Sequence, residues 1–189
     1  MTKKELRVLY KEKRKQLSAK DIMRLDDLLL IQFQQWPLSD IRVVLTYWPM
    51  SRHAEIDTQL MIDYLSFRIP DLQTALPVLD NEKKIFKPVV VLENTELLQN
   101  EFSIYEPQGG QELAPTDIDL VFVPLLAYNM QGFRVGYGKG FYDRFLASCR
   151  NDVIKIGFSY FPPEGCIDDI NDFDVPLNLC ITPNKTYEF

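Results

Sequence analysis

A glycine-rich segment at residues 132–140 holds the residue types best suited to binding a phosphate. Four of the eight glycines in the chain fall within it, and Arg134 and Lys139 stand between them. Glycine lets the backbone approach a phosphate closely, and free amides at the start of a helix donate hydrogen bonds to it. The spacing is neither that of the Walker A loop nor the G-x-G-x-x-G of dinucleotide folds. A generic glycine turn is the alternative, but the two cations favour a phosphate site.

Two carboxylates are candidates for a magnesium site next to this segment. Asp143 follows the last of these glycines by three residues, in the first turn of a predicted helix. A carboxylate there can simply complement the helix dipole, but beside a bound triphosphate it can hold Mg²⁺ together with phosphate oxygens. Asp174 lies in an acidic segment, residues 164–178, which has five carboxylates and no Lys or Arg. It could supply the second carboxylate, with a turn or a solvated charge as the alternative.

The positive charge of the chain is concentrated at its N-terminus. The first 24 residues contain nine Lys or Arg and three Asp or Glu, a net charge of +6, whereas the remaining residues carry −12. On a helical wheel Lys3, Arg7 and Arg14 fall within ~40° of one another and form a basic stripe beside an apolar face. We interpret this stripe as one wall of the phosphate site; a solvated helix face and attraction to RNA are the alternatives. The overall charge of −6 argues against a dedicated nucleic-acid-binding protein.

The scarcity of His and Cys excludes several kinds of site. The three cysteines are widely spaced and form no C-x-x-C, so we expect neither a disulfide framework nor a zinc site. The only histidine is His53, beside Arg52 in a predicted loop, and we expect it at the surface or at the rim of a substrate site. The N-terminus is charged and the longest apolar stretch is too short to span a bilayer, so we expect a cytoplasmic protein.

The elements that would position these residues predict an α/β fold in a single domain, residues 1–189. Capping-box spacing at Thr2 and Ser18 begins two N-terminal helices, and Asp57 is predicted to cap a third. Short apolar runs are typical of buried strands. They lie at residues 41–48, 72–79, 89–92, 120–123, 153–158 and 179–182. We therefore expect an open, largely parallel sheet with helices on both faces, a three-layer α/β/α arrangement.

The glycine-rich segment has a defined place in this predicted fold. It follows the strand predicted at 120–123 and opens a helix predicted at 141–150. Ligands of open α/β sheets bind at the carboxyl ends of the strands. We therefore expect the segment at the ligand-binding edge of the sheet.

The sequence from 134 to 143, RVGYGKGFYD, resembles the signature of the 5-formyltetrahydrofolate cyclo-ligases, also called methenyltetrahydrofolate synthetases. Three shorter matches support it: Lys3 and Arg7 in the spacing K-x-x-x-R, residues 55–58 (EIDT) and residues 174–177 (DVPL). The resemblance covers essentially the whole chain. It implies an ATP-dependent cyclisation of 5-formyltetrahydrofolate to 5,10-methenyltetrahydrofolate, with release of ADP and phosphate.

The resemblance also implies a role for each matching residue. For ATP binding these are Lys3, Lys4, Arg7, Arg134, Val135, Gly136, Tyr137, Gly138, Lys139, Gly140, Phe141 and Tyr142. For the folate they are Met50, Glu55, Tyr137, Gly138, Lys139, Gly140 and Phe141. Asp143 and Asp174 would hold Mg²⁺, and Arg134 and Lys139 would be catalytic. The chain departs from the family at Asn178, where relatives commonly have Asp, and this bears on the geometry around the metal.

The implied chemistry agrees with the residues that the chain possesses. The formyl oxygen is a poor leaving group, so ATP phosphorylates it, N10 closes the ring and phosphate departs. Phosphoryl transfer needs positioning and charge neutralisation more than a protein nucleophile, so neither His nor Cys is required.

Two other classes of function remain open at this level. One is a different enzyme on a similar α/β scaffold, such as a sugar-phosphate isomerase or a CoA transferase. The other is a non-catalytic nucleotide- or RNA-binding module. With the cyclo-ligase reading we expect small-molecule partners only, no nucleic acid, no membrane, and a monomer.

Overall fold

The computed structural model describes residues 1–50, 54–80, 82, 85–101 and 103–189 of the chain. Arg52 and His53, expected in a loop, lie outside these described residues. The α-helices of the described part are α1 (Lys3–Lys15), α2 (Ala19–Phe33), α3 (Gln59–Arg68) and α4 (Phe141–Leu146). Its strands are β1 (Val43–Leu45), β2 (Gln73–Asp80), β3 (Ile85–Val91), β4 (Leu97–Gln99), β5 (Tyr105–Pro107), β6 (Leu120–Val123), β7 (Ala127–Tyr128), β8 (Arg134–Val135), β9 (Ile154–Phe158), β10 (Leu179–Ile181) and β11 (Thr186–Glu188). A 3₁₀ turn spans Pro115–Asp117.

A mixed sheet organises the molecule. Seven strands pair in the order β11-β10-β9-β6-β1-β2-β3. The five central strands, β10 to β2 in this order, are mutually parallel, whereas β3 and β11 run antiparallel at the two edges. The expectation of an open, largely parallel sheet is confirmed. β4 pairs with β5, and β7 with β8, in two small antiparallel pairs outside it.

The order of the strands creates a crevice at one edge of the sheet. From β1 the chain proceeds to β2 on one side and later returns to β6 on the other side of β1. Connections that leave two adjacent parallel strands in opposite directions open a crevice at their carboxyl ends, where such folds bind ligands. The segments that follow β1 and β6, residues 46–50 and 124–140, both begin at this point.

Alternating side chains of the strands build a core on each face of the sheet. Leu120 and Phe122 pack with α2 and α3 in one cluster, whereas Val121 and Val123 pack with Phe145 of α4 in the other. This alternation is the period of two that a strand imposes. Helices therefore cover both faces, which confirms the three-layer arrangement.

The first helix has a different position from the others. Leu6 and Tyr10 of α1 are buried against Leu126, Ala127 and Val135 in a third cluster. α1 therefore packs on the small β7–β8 pair at the carboxyl edge of the sheet, directly beside the crevice. Both predicted N-terminal capping boxes, at Thr2 and at Ser18, are formed.

Several predicted boundaries differ from the structure. The helix predicted at 141–150 ends at Leu146, because Ser148 bonds the Phe145 carbonyl through both its amide and its hydroxyl and tightens the chain. The strand predicted at 41–48 spans only Val43–Leu45.

Side-chain hydrogen bonds account for the other differences in this region. The carbonyl of Tyr47 accepts the Thr58 hydroxyl at 3.0 Å instead of a ladder bond. Thr58, not Asp57, holds the N-cap position of α3, although the Asp57 carboxylate accepts the Gln59 amide at 3.1 Å. The β7–β8 pair, which was not predicted, follows β6, and its second strand lies within the glycine-rich segment, between Gly132 and Gly136.

No helix in the described ranges is long and apolar enough to cross a membrane.

Gly157 of β9 provides a test of the packing beside the crevice. A Cβ at this position would lie 2.5 Å from Leu125 Cδ2 and 2.7 Å from Leu177 Cδ1, and both leucines are buried. We expect Gly157→Ala to lower the free energy of unfolding by about 1–3 kcal/mol, because the overpacked leucines must shift. Urea denaturation measures the change.

Gly165→Ala is the matched control for this substitution. A Cβ at Gly165 meets no atom within 4 Å, so we expect a change within about 0.5 kcal/mol. Equal stabilities of the two variants would contradict the packing described for Gly157.

Candidate active site

Arg134 joins two distant segments of the chain. Its side chain is 4% exposed, and Nη2 donates to Asp143 Oδ1 at 2.9 Å while Nη1 donates to the carbonyl of Val175 at 2.5 Å. The amide of Val175 donates to the same Asp143 oxygen at 3.2 Å. The helix that follows the glycines is thus fixed to the acidic C-terminal segment. Burial lowers the pKa of Arg134, and the opposing effect of the charges of Asp143 and Asp174 is smaller.

Asp174 binds the beginning of α1. Lys3 Nζ donates to Asp174 Oδ2 at 2.5 Å, and the amide of Asn171 donates to the same oxygen at 2.8 Å. The amide of Lys3 donates to Asp169 Oδ1 at 2.6 Å. The basic N-terminus and the acidic segment therefore meet directly. Asp174 also lies next in sequence to Val175, which bonds both Arg134 and Asp143.

The glycine segment lies along the basic stripe of α1. Arg7 Nε donates to the Gly136 carbonyl at 2.8 Å. Gly138 has φ +93°, and a Cβ there would lie 3.1 Å from the Arg7 guanidinium carbon. Gly140, with φ +69°, is the N-cap of α4. These conformations favour glycine, so the predicted loop that opens a helix is confirmed.

Glu55 lies in a buried group of polar side chains at the end of β1. Glu55 is 9% exposed. Its Oε1 accepts a hydrogen bond from the Tyr137 hydroxyl, and its Oε2 accepts one from the Met50 amide at 2.8 Å. Burial, and then the charge of Glu55, raise the pKa of Tyr137, Tyr47 and Tyr142. Met50, Glu55 and Tyr137, which the resemblance assigns to the folate, are therefore neighbours.

Some of the expected residues lie differently. Lys4 and Lys139 are exposed. Asn178 is fixed to β9 near its amino end, because its side-chain oxygen accepts the Lys155 amide at 2.9 Å. It has no hydrogen bond to Asp143 or Asp174 among the described residues. The Asn in place of the family's Asp therefore makes a structural contact away from the two carboxylates.

Two features of this site were not predicted. The Val175 amide donates to Asp143 and the Val175 carbonyl accepts from Arg134. Because the backbone makes both contacts, the type of the side chain does not predict them. Arg14 is buried with its Nη2 on the Leu125 carbonyl at 2.6 Å. Its position on the stripe of Lys3 and Arg7 was the available signal.

Each of the two carboxylates uses only one of its oxygens in the hydrogen bonds described above. In the described residues no group of three or more His, Cys, Asp or Glu could hold a metal. However, the bonds of Asp143 all go to Oδ1 and those of Asp174 all go to Oδ2. Each therefore keeps one oxygen for a cation. Mg²⁺ typically takes one or two carboxylates and completes its shell with water and phosphate oxygens, so the pair fits this ion.

The open sheet, with a glycine loop, cations and carboxylates at its crevice, defines the class of α/β enzymes that bind ligands at a topological switch point. The sequence matches the model of the 5-formyltetrahydrofolate cyclo-ligase family over residues 1–164. The chain belongs to this family and is a cyclo-ligase.

Individual relatives agree with this assignment. The 5-formyltetrahydrofolate cyclo-ligase of Mycoplasma genitalium is 32% identical over 129 residues, 67% of this chain and 78% of that protein. The Haemophilus influenzae cyclo-ligase is 36% identical over 66% of this chain and 67% of its own length. The NMR structure of Aquifex aeolicus 5,10-methenyltetrahydrofolate synthetase superimposes with a TM-score of 0.76 at 25% identity, covering 100% of this chain and 93% of that one. These matches decide against a sugar-phosphate isomerase, a CoA transferase or a non-catalytic binding module.

The buried position of Arg134 predicts a large difference between the two cations of the glycine segment. Arg134→Met leaves the Val175 carbonyl without this donor and takes from the Asp143 carboxylate its cation, although the Val175 amide still donates to it. We therefore expect the free energy of unfolding to fall by about 1–3 kcal/mol. Lys139→Met, at an exposed position, should change it by less than about 0.5 kcal/mol. Urea denaturation of both variants makes the comparison. A stability loss that is the same in both would show that Arg134 does not join the segments.

Proposed function

We propose that this chain converts 5-formyltetrahydrofolate to 5,10-methenyltetrahydrofolate, with ATP as co-substrate and Mg²⁺ as the metal, and releases ADP and phosphate. Both substrates are small molecules, and we expect a cytoplasmic monomer that binds no nucleic acid. The observation that carries this proposal is the convergence of three features at the crevice: the stripe of Lys3 and Arg7, the glycine loop, and the carboxylates of Asp143 and Asp174.

The arrangement supports an ATP phosphate site between α1 and the glycine loop. Arg7 donates one hydrogen bond to the Gly136 carbonyl. Because a carbonyl carries no net charge, the positive charge of Arg7 can still bind a phosphate. Gly140, the N-cap of α4, has no side chain that could accept from the first amides of this helix. Lys139 is exposed in the same loop and can approach the terminal phosphate.

The folate would lie across Glu55, Met50 and Tyr137, on the other side of the loop. Tyr137 belongs to the glycine segment and bonds Glu55, so the groups assigned to the two substrates touch. This juxtaposition is what transfer of a phosphoryl group from ATP to the formyl oxygen requires, because the reacting atoms must be held in line and close together.

Each step of the proposed reaction uses an atom of the substrates as the nucleophile, so no protein nucleophile is needed. The formyl oxygen attacks the terminal phosphorus and ADP leaves. N10 then attacks the formyl carbon and loses its proton, and the former formyl oxygen departs within phosphate. The chain contributes binding, charge and the exclusion of water. Bound between Asp143 and Asp174, Mg²⁺ would neutralise charge on the phosphate oxygens.

Arg134 has a positioning role in this proposal. The resemblance implies that Arg134 is catalytic. Its buried guanidinium, however, donates to the Val175 carbonyl and forms an ion pair with Asp143. We propose that it orients Asp143, and that Arg7 and Lys139 are the cations that contact phosphate.

The activity is tested by incubating the protein with 5-formyltetrahydrofolate, ATP and Mg²⁺. We expect the absorbance of the methenyl product to appear, to vanish when EDTA removes the metal, and to return when Mg²⁺ is added in excess. No product without ATP is expected, because nothing else activates the formyl oxygen. Failure to form the product with all three components present would overturn the proposal.

The metal role of the two carboxylates is tested by Asp143→Asn and Asp174→Asn. Asparagine keeps an oxygen for the existing donors but removes the charge, so the fold should persist. We expect each substitution to lower kcat by at least about 100-fold, the scale on which loss of one stabilising charge acts, and to raise the Mg²⁺ concentration needed for half-maximal rate.

Asp172→Asn is the matched control, because this carboxylate is exposed in the same acidic segment. Its activity should equal that of the wild type. If Asp143→Asn and Asp174→Asn were as active as Asp172→Asn, the metal role would be rejected.

A further inference from the structure

Arg14 is a buried cation that the reaction described above does not use. The residue is 3% exposed, and Nη2 donates to the Leu125 carbonyl at 2.6 Å. Nε and Nη1 are also buried, and neither has a hydrogen-bond partner among the described residues. Buried charged donors without acceptors are costly, and native structures rarely keep them without a reason.

The position of Arg14 places these donors at the crevice. It lies seven residues after Arg7 on the same face of α1, which packs on β7 and β8. Leu125, which accepts its one hydrogen bond, is two residues past β6. Arg14 therefore lies at the carboxyl ends of the parallel strands, deeper in the protein than Arg7.

Tyrosines surround the charge of Arg14, and one of them lies on the folate side of the site. Its positive charge acts on the hydroxyls of Tyr137, Tyr47 and Tyr160, whose pKa values it lowers against the effect of burial. Tyr137 is the residue that bonds Glu55. The carboxylates of Asp143 and Asp174 interact instead with Arg134 and Lys3.

These surroundings favour one kind of acceptor. Aromatic side chains around a buried guanidinium leave flat surfaces that suit a heterocyclic ring better than a triphosphate, which needs cations at a solvated opening. A reduced folate has two carbonyl oxygens near its reacting atoms, one on the formyl group and one on the pterin ring. Either can accept from Nε or Nη1.

We propose that Arg14 is a further substrate-binding residue, whose free N–H groups donate to a carbonyl oxygen of the reduced folate. This inference rests on the proposed function, because it assumes that the substrate is a folate. It adds a cation to the folate side, where the resemblance assigns none from α1. This contact would hold in place either the oxygen that receives the phosphoryl group or the ring oxygen beside the nitrogen that carries the formyl group.

The experiment compares Arg14→Gln with the wild type by calorimetric titration without ATP. Loss of a hydrogen bond from a charged donor should raise the Kd for 5-formyltetrahydrofolate by about 10- to 100-fold. The Kd for Mg-ATP should stay unchanged. In steady-state kinetics the KM for the folate should rise and the KM for ATP should not, a separation that a general loss of structure would not produce.

Tetrahydrofolate, which has the ring carbonyl but no formyl group, identifies the acceptor. If the formyl oxygen accepts, the substitution weakens 5-formyltetrahydrofolate alone. If the ring carbonyl accepts, it weakens both ligands equally. Either result supports the proposal.

Two further variants control for folding. Arg14→Lys keeps the charge with fewer donors and should give an intermediate Kd, which preserves the test if Arg14→Gln does not fold. Lys15→Gln removes an exposed cation from the same helix end, where it pairs with Glu12, and should bind both folates like the wild type.

A folded Arg14→Gln protein with unchanged affinity for both folates would overturn the proposal, as would a loss of ATP affinity in place of folate affinity. These results differ from a failure of the proposed function. In that case the wild type itself would form no methenyl product and bind no folate.

Discussion

The structure of the site depends on one buried cation with two acceptors. A guanidinium in the interior is stabilised by acceptors and by an opposite charge, since removing the partner of a buried ion pair costs several kcal/mol, on the order of 3–5. Arg134 obtains both only when α4 presents Asp143 and the C-terminal segment presents the Val175 carbonyl. When these two hydrogen bonds of Arg134 form, Asp174, the residue before Val175, is therefore also brought to the crevice. Lys3 then binds Asp174 and fixes α1 across the crevice.

These contacts show how the basic N-terminus and the acidic segment are used in the folded protein. The carboxylates Asp143 and Asp174 are each bound to one cation. Arg7 and Arg14 instead donate to the backbone carbonyls of Gly136 and Leu125. A carbonyl satisfies a donor without cancelling its charge. Two positive charges therefore remain beside the glycine loop, one toward the proposed phosphates and one toward the proposed folate. An anionic substrate is the complement that this arrangement favours.

The sequence predicts the fold well where local patterns decide it. Capping boxes begin α1 and α2. The predicted apolar runs lie in the strands of the sheet, five in the parallel strands and the run at 89–92 in antiparallel β3. It fails where the outcome depends on distant partners. β7 and β8 have two residues each, too few for a periodic pattern. For the site, the resemblance supplies the candidate residues, but residue types alone do not tell that Arg134 is buried on Asp143. The wheel places Arg14 on the basic stripe; only the docking of α1 against β7 and β8 decides that this position is buried.

We propose that Asp143 and Asp174 are the two protein ligands of one metal, beside a triphosphate held by α1 and the glycine loop. The most direct measurement is a crystal structure with Mn²⁺ and a non-hydrolysable ATP analogue, in which anomalous scattering locates the metal. The account predicts one peak between the free oxygens of Asp143 and Asp174, with the phosphates extending toward Arg7 and the Gly136 to Gly140 backbone. A metal bound away from either carboxylate, or a nucleotide bound outside the crevice, would contradict it.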